Sequence, residues 1–198
     1  MGKIVITTNA TLDGVIQDPD GQEGFKLGGW FKQFVGKDLE AWVRRETDEA
    51  LLAKALLLGR RSDQWFGSRL QGGEAGRRVS DAWADRVDAM PKYVVSTTLK
   101  NPVWKNSTLL KGDMAMEVSK LRQKIDGDIV VYGSYQLGHA LLKHDLVDEL
   151  RIVIFPVVLG AGERLFGETG EAKGFRLIDT RPLGENLAYL AYQRVRGA

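Results

Sequence analysis

Short apolar runs alternate with amphipathic stretches along most of the chain. The runs are rich in valine, isoleucine and leucine, which is typical of strands buried in a sheet, and the stretches between them carry apolar residues at helical spacing. This pattern predicts strands at 3–8, 55–58, 92–95, 107–110 and 128–132, and helices at 38–53, 79–90 and 114–125, with a further helix that begins at Gly133-Ser134.

The pattern changes after residue 148. Residues 149–159 predict one long strand, and 175–179 and 187–195 predict two more with no helix between them. Strands separated by helices are typical of parallel pairing, whereas successive strands without a helix are typical of an antiparallel pair. The sequence therefore predicts an α/β fold in one domain, residues 1–198, with a mixed, mainly parallel sheet, helices on both faces and an antiparallel C-terminal edge.

Three of the predicted strands end in residues that suit phosphate. Leu58 is followed by Gly59-Arg60-Arg61-Ser62, Val95 by Ser96-Thr97-Thr98, and Tyr132 by Gly133-Ser134-Tyr135-Gln136. Glycine allows a close approach of the backbone, and arginine matches phosphate oxygens with a fork of donors. Ser62 is a predicted cap of a helix whose N-terminus favours anions.

The alternative is that Arg60 and Arg61 lie in a solvated loop after a core strand. The carboxyl ends of parallel strands, however, meet at one edge of a sheet, and ligands bind at that edge in such folds. Because three strand ends carry similar chemistry, we expect them to surround one ligand with more than one phosphate, such as a dinucleotide.

A long loop follows the first strand, and its glycines Gly24, Gly28 and Gly29 indicate a flexible binding lid. The aromatic residues Trp30 and Phe31 come directly after it. They either wall a pocket or anchor the lid to the core.

The bulk composition excludes several classes of protein. Hydrophobic residues make up 43% of the chain, charged residues make up 27% and the formal net charge is +2, which excludes a disordered chain. Basic pairs such as Arg60-Arg61 and Arg77-Arg78 are interrupted by acids, so we expect no nucleic-acid partner. The absence of cysteine excludes disulfides and thiolate metal sites.

Other patterns lead to expected absences. The sequence has neither a long apolar span nor an apolar signal segment, so we expect no membrane association and a cytoplasmic location. His139 and His144 do not share a helix face, so we predict no metal site. Gly160-Ala161-Gly162 begins like a dinucleotide fingerprint, but Leu165 stands in place of its third glycine.

Together the motifs resemble the dihydrofolate reductase-like superfamily, most closely the reductase domain of riboflavin biosynthesis (the RibD C-terminal domain) and its small stand-alone relatives. The resemblance covers nearly the whole chain and implies a three-layer α-β-α sandwich with NADPH as the cofactor. It is carried by Thr11-Leu12-Asp13-Gly14, Leu58-Gly59-Arg60-Arg61-Ser62, Val95-Ser96-Thr97-Thr98, Val131-Tyr132-Gly133-Ser134-Tyr135-Gln136-Leu137, Leu146-Val147-Asp148-Glu149-Leu150 and Phe155-Pro156-Val157-Val158-Leu159-Gly160-Ala161-Gly162.

The resemblance implies a role for each of these segments. Arg60 would meet the adenosine 2′-phosphate, and Arg61 and Ser62 would hold the phosphate bridge. The remaining cofactor-binding residues would be Leu58, Gly59 and Tyr132 at the strand ends, Ser96, Thr97 and Thr98 at the adenosine, Gly133, Ser134, Tyr135, Gln136 and Leu137 along the pyrophosphate and nicotinamide ribose, and Leu12, Asp13, Gly14 and Val15 beside the nicotinamide.

Two carboxylates, Asp13 and Asp38, are the candidates that the resemblance gives for a catalytic acid. Either of them is alternatively a turn or cap residue. The substrate pocket would be lined by aromatic residues, although core packing is an equally good place for any one of them: Trp30, Phe31, Trp65, Phe66 and Phe155.

The resemblance thus implies an NADPH-dependent reductase that transfers hydride to a pterin- or pyrimidine-like heterocycle or its ribosylamino derivative. We expect a small-molecule substrate as partner, and a homodimer stays open. Two alternatives also stay open. One is a nucleotide-binding protein without turnover, and the other is a reductase for an unrelated carbonyl or quinone substrate.

Overall fold

A computed structural model describes residues 1–70 and 80–196. The strands it describes form one eight-stranded sheet in the order β4-β3-β2-β5-β1-β6-β8-β7. Their bounds are β1 Lys3–Thr11, β2 Ala55–Gly59, β3 Lys92–Val95, β4 Ser107–Leu110, β5 Asp128–Tyr132, β6 Glu149–Phe155, β7 Phe175–Leu183 and β8 Leu187–Arg194.

The sheet is parallel from β4 to β6 and antiparallel at its C-terminal edge. β1 lies at the centre between β5 and β6, with Lys3 paired to Asp128 and Val5 paired to Glu149. β2 pairs in parallel with β3 and β5, and β3 with β4. β8 runs antiparallel to both β6 and β7. This confirms the predicted mixed, mainly parallel sheet with an antiparallel edge.

Helices cover both faces of the sheet. Their bounds are α1 Trp30–Phe34, α2 Leu39–Leu52, α3 Arg60–Leu70, α4 Asp81–Ala89, α5 Met114–Lys124 and α6 Tyr135–Lys143, and a 3₁₀ turn spans Gly36–Asp38. Within the described ranges, no helix combines the length and apolarity needed to cross a membrane.

Alternate residues of the central strands pack on opposite faces, as the two-residue period of a strand requires. Ile4 and Ile6 of β1 belong to an apolar cluster with α5 and α6, whereas Val5 belongs to a second cluster with α2 and α4. Each such fully buried side chain contributes roughly 1.5–3 kcal/mol of transfer free energy. The two clusters make the molecule a three-layer α-β-α sandwich.

Several predicted boundaries were wrong. The helix after β2 begins at Arg60, so Ser62 lies within its first turn and is not the predicted cap. The strand predicted at 149–159 ends at Phe155, where Val157 N donates back to Phe155 O and turns the chain before it reaches Leu159. The helix predicted from residue 79 begins at Asp81, because the Ser80 hydroxyl accepts from Trp83 N and caps it.

Other elements were not predicted or extend further than expected. The short helix α1 was not predicted, and β1 and β7 continue to Thr11 and Leu183. The composition of residues 70–78, which is rich in glycine and polar residues, also predicts a loop. Leu70 instead ends α3, and the rest of this stretch, with the pair Arg77-Arg78, lies outside the described residues.

Candidate active site

A cavity of about 1680 Å³ opens at the carboxyl ends of β1, β2, β3 and β5. Its lining includes Gly59 after β2, Ser96 after β3 and Gly133 after β5. The three strand ends that the sequence singled out therefore meet in one cavity. Leu58 itself is fully buried in the core below it.

The arginines after β2 and the start of α6 face each other across the rim of this cavity. Arg61 Nη1 donates to the Tyr135 hydroxyl at 3.0 Å, and both residues line the cavity together with Arg60, Ser62, Gln136 and Leu137. Arg60 is exposed, and its guanidinium makes no hydrogen bond to any described residue. Free guanidinium donors beside a helix N-terminus form a set that can hold phosphate oxygens.

The turn between β5 and α6 brings backbone close to this rim. Gly133 has a φ of +49°, which a residue with a Cβ rarely adopts, and its N–H donates to Thr7 O at 3.1 Å. A Cβ on Gly59 would lie 3.4 Å from Ser134 Oγ, which is an ordinary van der Waals contact. The β2 and β5 turns therefore pack side by side, and Gly133 is the glycine whose backbone conformation requires it.

The hydroxyl row after β3 lies at the far end of the same cavity. Ser96 and Thr97 line it, and they also line an adjoining cavity of about 530 Å³ together with Thr98, Lys100 and Lys111. Ser96 Oγ accepts from Thr98 N and Leu99 N and so closes the turn. This end is rich in cations and hydroxyls, which suits an anionic group.

The predicted lid lies over the cavity. Buried Asp18 organises it by accepting from Gln22 N, Glu23 N and Phe25 N at 2.6, 3.0 and 3.1 Å. From α3, Arg69 donates to Gln22 Oε1 from both Nε and Nη2 and stacks over the Trp65 ring at 4.4 Å. The lid is thus tied to the helix that carries Arg60 and Arg61.

Asp13 is held away from the cavity lining. Its carboxylate accepts from the Thr11 hydroxyl at 2.6 Å and from Leu159 N and Gly160 N at 3.2 and 2.9 Å. The hydrogen bond from Thr11 is the largest cause that lowers the pKa of Asp13 below its ordinary value. The backbone donors lower it further, and burial opposes them. Leu12, Gly14 and Val15, which were predicted beside the nicotinamide, do not line the cavity either. Ile16 and Gln17 line it instead.

Asp38 is likewise a structural carboxylate. It is 2% exposed and accepts from Glu185 N at 2.7 Å and Asn186 N at 2.9 Å, which fixes the β7–β8 turn. The Glu185 bond is the largest influence that lowers its pKa. Asp13 and Asp38 both stay ionised, accept several hydrogen bonds and lie outside the cavity lining. Neither can supply a proton to a ligand in the cavity, so the geometry does not support a catalytic role for either of them.

The five predicted pocket aromatics divide into two groups. Phe31, Trp65 and Phe66 line the cavity. Trp30 and Phe155 instead pack edge to face at 5.3 Å inside the core, and Trp30 Nε1 donates to Gln17 O at 3.0 Å. Trp30 therefore anchors the lid, while Phe31 beside it forms a wall.

Sequence reasoning missed several acids that line the cavity, among them Glu46 on α2. Leu39, Trp42 and Glu46 share one face of α2 and all line the cavity. Burial is the largest cause that raises the pKa of Glu46 to about 7. The charge of Glu49 raises it too, whereas the charge of Arg45 lowers it. The sequence holds one signal for Glu46. Its spacing from Leu39 and Trp42 places it on the same face of the helix as these two residues.

Behind Glu46 lies a buried ionic network. Arg45 donates to Glu46, to Glu49 Oε1 at 3.0 Å and to Thr7 Oγ1 at 2.8 Å. Arg151 of β6 donates to Glu49 Oε1 at 3.1 Å and continues the network towards the other end of the sheet. Because Arg45 is shared between two carboxylates, it compensates the charge of Glu46 only in part.

Comparisons with known proteins point to one family and one fold. The family model of the RibD C-terminal domain matches residues 2–189. The uncharacterized protein YyaP of Bacillus subtilis is 26% identical over 190 residues, which cover 96% of this chain and 94% of YyaP.

Solved structures show the same fold. A riboflavin biosynthesis protein from Shewanella sp. PV-4 superposes with a TM-score of 0.69 at 22% identity, over 98% of this chain and 99% of that one. Dihydrofolate reductase from Enterococcus faecalis, complexed with NADP(H), gives a TM-score of 0.55 at 14% identity, over 97% and 96% of the two chains.

Proposed function

The chain belongs to the RibD C-terminal domain family, and on that premise we propose that it is a reductase that uses NADPH to reduce a pterin- or pyrimidine-like heterocycle or its ribosylamino derivative. The observation that carries the proposal is the meeting of three phosphate-type strand ends in one cavity. The NADP(H) bound by the Enterococcus faecalis reductase, which shares the fold, supports the choice of cofactor.

The rim of the cavity suits a dinucleotide in charge, and the cavity suits it in size. A cavity of about 1680 Å³ exceeds the range of about 300–1,000 Å³ that is usual for one small ligand, as expected of a site that holds two molecules together. Its rim supplies Arg60, Arg61 and the N-terminus of α6 for phosphates, and Ser96, Thr97 and Thr98 for the adenosine end.

In this proposal Arg60 reads the 2′-phosphate, because its guanidinium is exposed and has no partner among the described residues. Arg61, Ser62 and the first N–H groups of α6 hold the pyrophosphate. Ile16 and Gln17, which line the cavity, replace the segment 12–15 beside the nicotinamide.

The substrate would lie against α1 and α2. Phe31, Val35, Leu39 and Trp42 give this part of the cavity an apolar wall, and Glu46 gives it a polar end. A flat ring fits between such walls with its polar edge towards Glu46. The lid, closed by Asp18 and Arg69, would exclude water from the ring.

When bound, NADPH supplies the hydride. Glu46 supplies the proton: its carboxyl keeps a proton near neutral pH and gives it to the ring atom that becomes basic as hydride arrives. Arg45 holds Oε1 of Glu46, which leaves the other oxygen to meet the substrate in this proposal.

The test is a titration followed by a turnover assay. NADPH is expected to quench the tryptophan fluorescence of the protein and then to lose its absorbance when dihydrofolate or the ribosylaminopyrimidine substrate is added. Binding without oxidation would identify a nucleotide-binding protein without turnover. Oxidation with only simple aldehydes or quinones would contradict the proposed substrate class.

A further inference from the structure

Asp63 is a fully buried acid in the first turn of α3, and it does not line the cavity, although the residues on either side of it do. Its carboxylate accepts from Val103 N at 2.8 Å and from Trp104 N at 3.2 Å. Both donors belong to the β3–β4 connection, residues 96–106. Asp63 therefore joins the start of α3 to a segment that is distant in the sequence.

The next turn of α3 packs on the same connection. Phe66 stacks on Trp104, with ring centroids 5.4 Å apart and 18° between the ring planes. Gly67 approaches this segment so closely that a Cβ would lie 3.0 Å from Trp104 N. Asp63, Phe66 and Gly67 have the three- and four-residue spacing of one helix face. That face of α3 is set against the β3–β4 connection.

Trp104 is itself fixed in the core. It is buried, and its Nε1 donates to Asp88 Oδ1 of α4 at 3.0 Å. The ammonium of buried Lys92 lies 4.4 Å from the centroid of the Trp104 ring and donates to Asp88 O and Met90 O at 2.9 and 3.0 Å. Because these contacts hold Trp104 independently of α3, the connection is a support that determines where α3 lies.

Arg60 stands at the N-terminal end of the supported face. It precedes Asp63 by three positions and Gly67 by seven, so it belongs to the same stripe of the helix. The helix starts at Arg60 directly after β2, with no connecting residue. The Arg60 guanidinium has no hydrogen-bond partner among the described residues, so the placement of the helix backbone is what aims it. The stripe faces the connection whose first residues, Ser96 and Thr97, line the cavity.

We propose that Asp63 positions Arg60 for the 2′-phosphate and so sets the preference of the site for NADPH over NADH. It acts from behind the site, by clamping the first turn of α3 to the backbone of Val103 and Trp104. A carboxylate suits this task because its two oxygens accept from two N–H groups at once, and the first turn of a helix favours its charge. The inference rests on the proposed function and deepens its cofactor assignment.

The test compares Asp63→Asn with the wild type. Asparagine keeps the shape of the side chain but has one acceptor oxygen, and its NH₂ group would face the second backbone N–H with another donor. The clamp therefore loses a bond, and the first turn of α3 shifts. Circular dichroism confirms that the variant is folded.

Fluorescence titrations measure the preference that the 2′-phosphate confers, with NADPH against NADH and with adenosine 2′,5′-bisphosphate against AMP. We expect this preference to fall about tenfold in Asp63→Asn, because a displaced guanidinium loses much of a charge-assisted bond. The affinities for NADH and AMP should change less than about twofold, since neither carries a 2′-phosphate.

A double variant shows whether Asp63 acts through Arg60. In the Arg60→Ala background, Asp63→Asn should leave the preference unchanged, because the group that it positions is already gone. Asp88→Asn is the matched control, since Asp88 belongs to α4 and holds the Trp104 ring instead of the α3 clamp. It should lower stability towards urea and keep the preference for the 2′-phosphate.

An unchanged preference in Asp63→Asn, or an equal loss of affinity for NADPH and NADH, would overturn the inference. A fall in Asp88→Asn as large as in Asp63→Asn would overturn it too, since it would indicate a general loss of packing. If Asp63→Asn does not fold, Gly67→Ala decides, because its Cβ presses on the Trp104 backbone and displaces the same face of α3. An unchanged preference in that variant would count against Asp63 equally.

Failure of the inference differs from failure of the proposed function. If the wild type prefers NADPH and the Asp63 variant keeps that preference, the positioning role is wrong while the proposed cofactor stands. If the wild type binds NADPH no better than NADH, the proposed cofactor is wrong and the inference falls with it.

Discussion

Arg45 donates a hydrogen bond to Glu46 from the preceding position of the same helix, yet the pKa of Glu46 stays raised to about 7. The main cause is the burial of Glu46, and the charge of Glu49, which shares Arg45 with it, raises the pKa further. Partial compensation of this kind leaves a carboxyl group able to change protonation near neutral pH, as a general acid requires.

Replacing Glu46 with Gln should lower the turnover number about a hundredfold while NADPH affinity stays the same, because the amide cannot release a proton. In the wild type, turnover should fall as pH rises through about 7, since the carboxyl then loses its proton. Steady-state rates between pH 5 and pH 9 check this. Glu40→Gln, on the exposed face of the same helix, should keep the wild-type profile.

Glu46 should also make folding stability depend on pH. Its pKa is higher in the folded protein than the ordinary 4.5, so the folded state binds more protons than the unfolded state between about 4.5 and 7. The free energy of unfolding should therefore decrease as pH rises across this window. Urea unfolding of wild type and Glu46→Gln at several pH values tests it, and parallel curves for the two proteins would contradict it.

Arg60→Ala should weaken NADPH binding about ten- to a hundredfold, because a charge-assisted hydrogen bond is worth about 1.5–3 kcal/mol. NADH binding should stay almost unaffected, because NADH lacks the 2′-phosphate. Fluorescence titration with both nucleotides measures this. Arg44→Ala is the control, since Arg44 is an exposed arginine paired with Glu40 outside the cavity. An equal loss for both nucleotides would show that Arg60 does not read the 2′-phosphate.

Asp38→Ala should lower the free energy of unfolding by about 2 kcal/mol, because Glu185 N and Asn186 N lose their buried acceptor. The pKa of Asp38 is lowered by folding, so its contribution is present above the ordinary 3.8 and is lost as pH falls below that value. Exposed Asp85→Ala should change stability little. Full stability combined with lost turnover in Asp38→Ala would restore it as a catalytic candidate.

The parts of the site that depend on local signals could be predicted from the sequence. Gly59-Arg60-Arg61 and Gly133 follow directly on apolar runs, and parallel pairing then brings the strand ends together whatever the details of the loops. Ser62 misled the prediction because a good capping residue was available two positions after the point where the helix begins.

The parts that depend on distant partners could not be predicted in the same way. Asp13 and Asp38 look like free acids in the sequence, but their donors lie at Leu159 and Glu185, on other elements of the fold. Glu46 looks like one more charge on an amphipathic helix. Its raised pKa depends on how deeply α2 packs over β1, which no local pattern records.

The central position of β1 has a consequence for synthesis of the chain. Lys3 finds its partner only when Asp128 has emerged, and at roughly 5–20 residues per second that takes on the order of ten seconds. During this interval the apolar residues of the first strand have no neighbouring strand. The first strand therefore stays unpaired for most of synthesis, and we expect fragments that stop before the fifth strand to aggregate instead of folding.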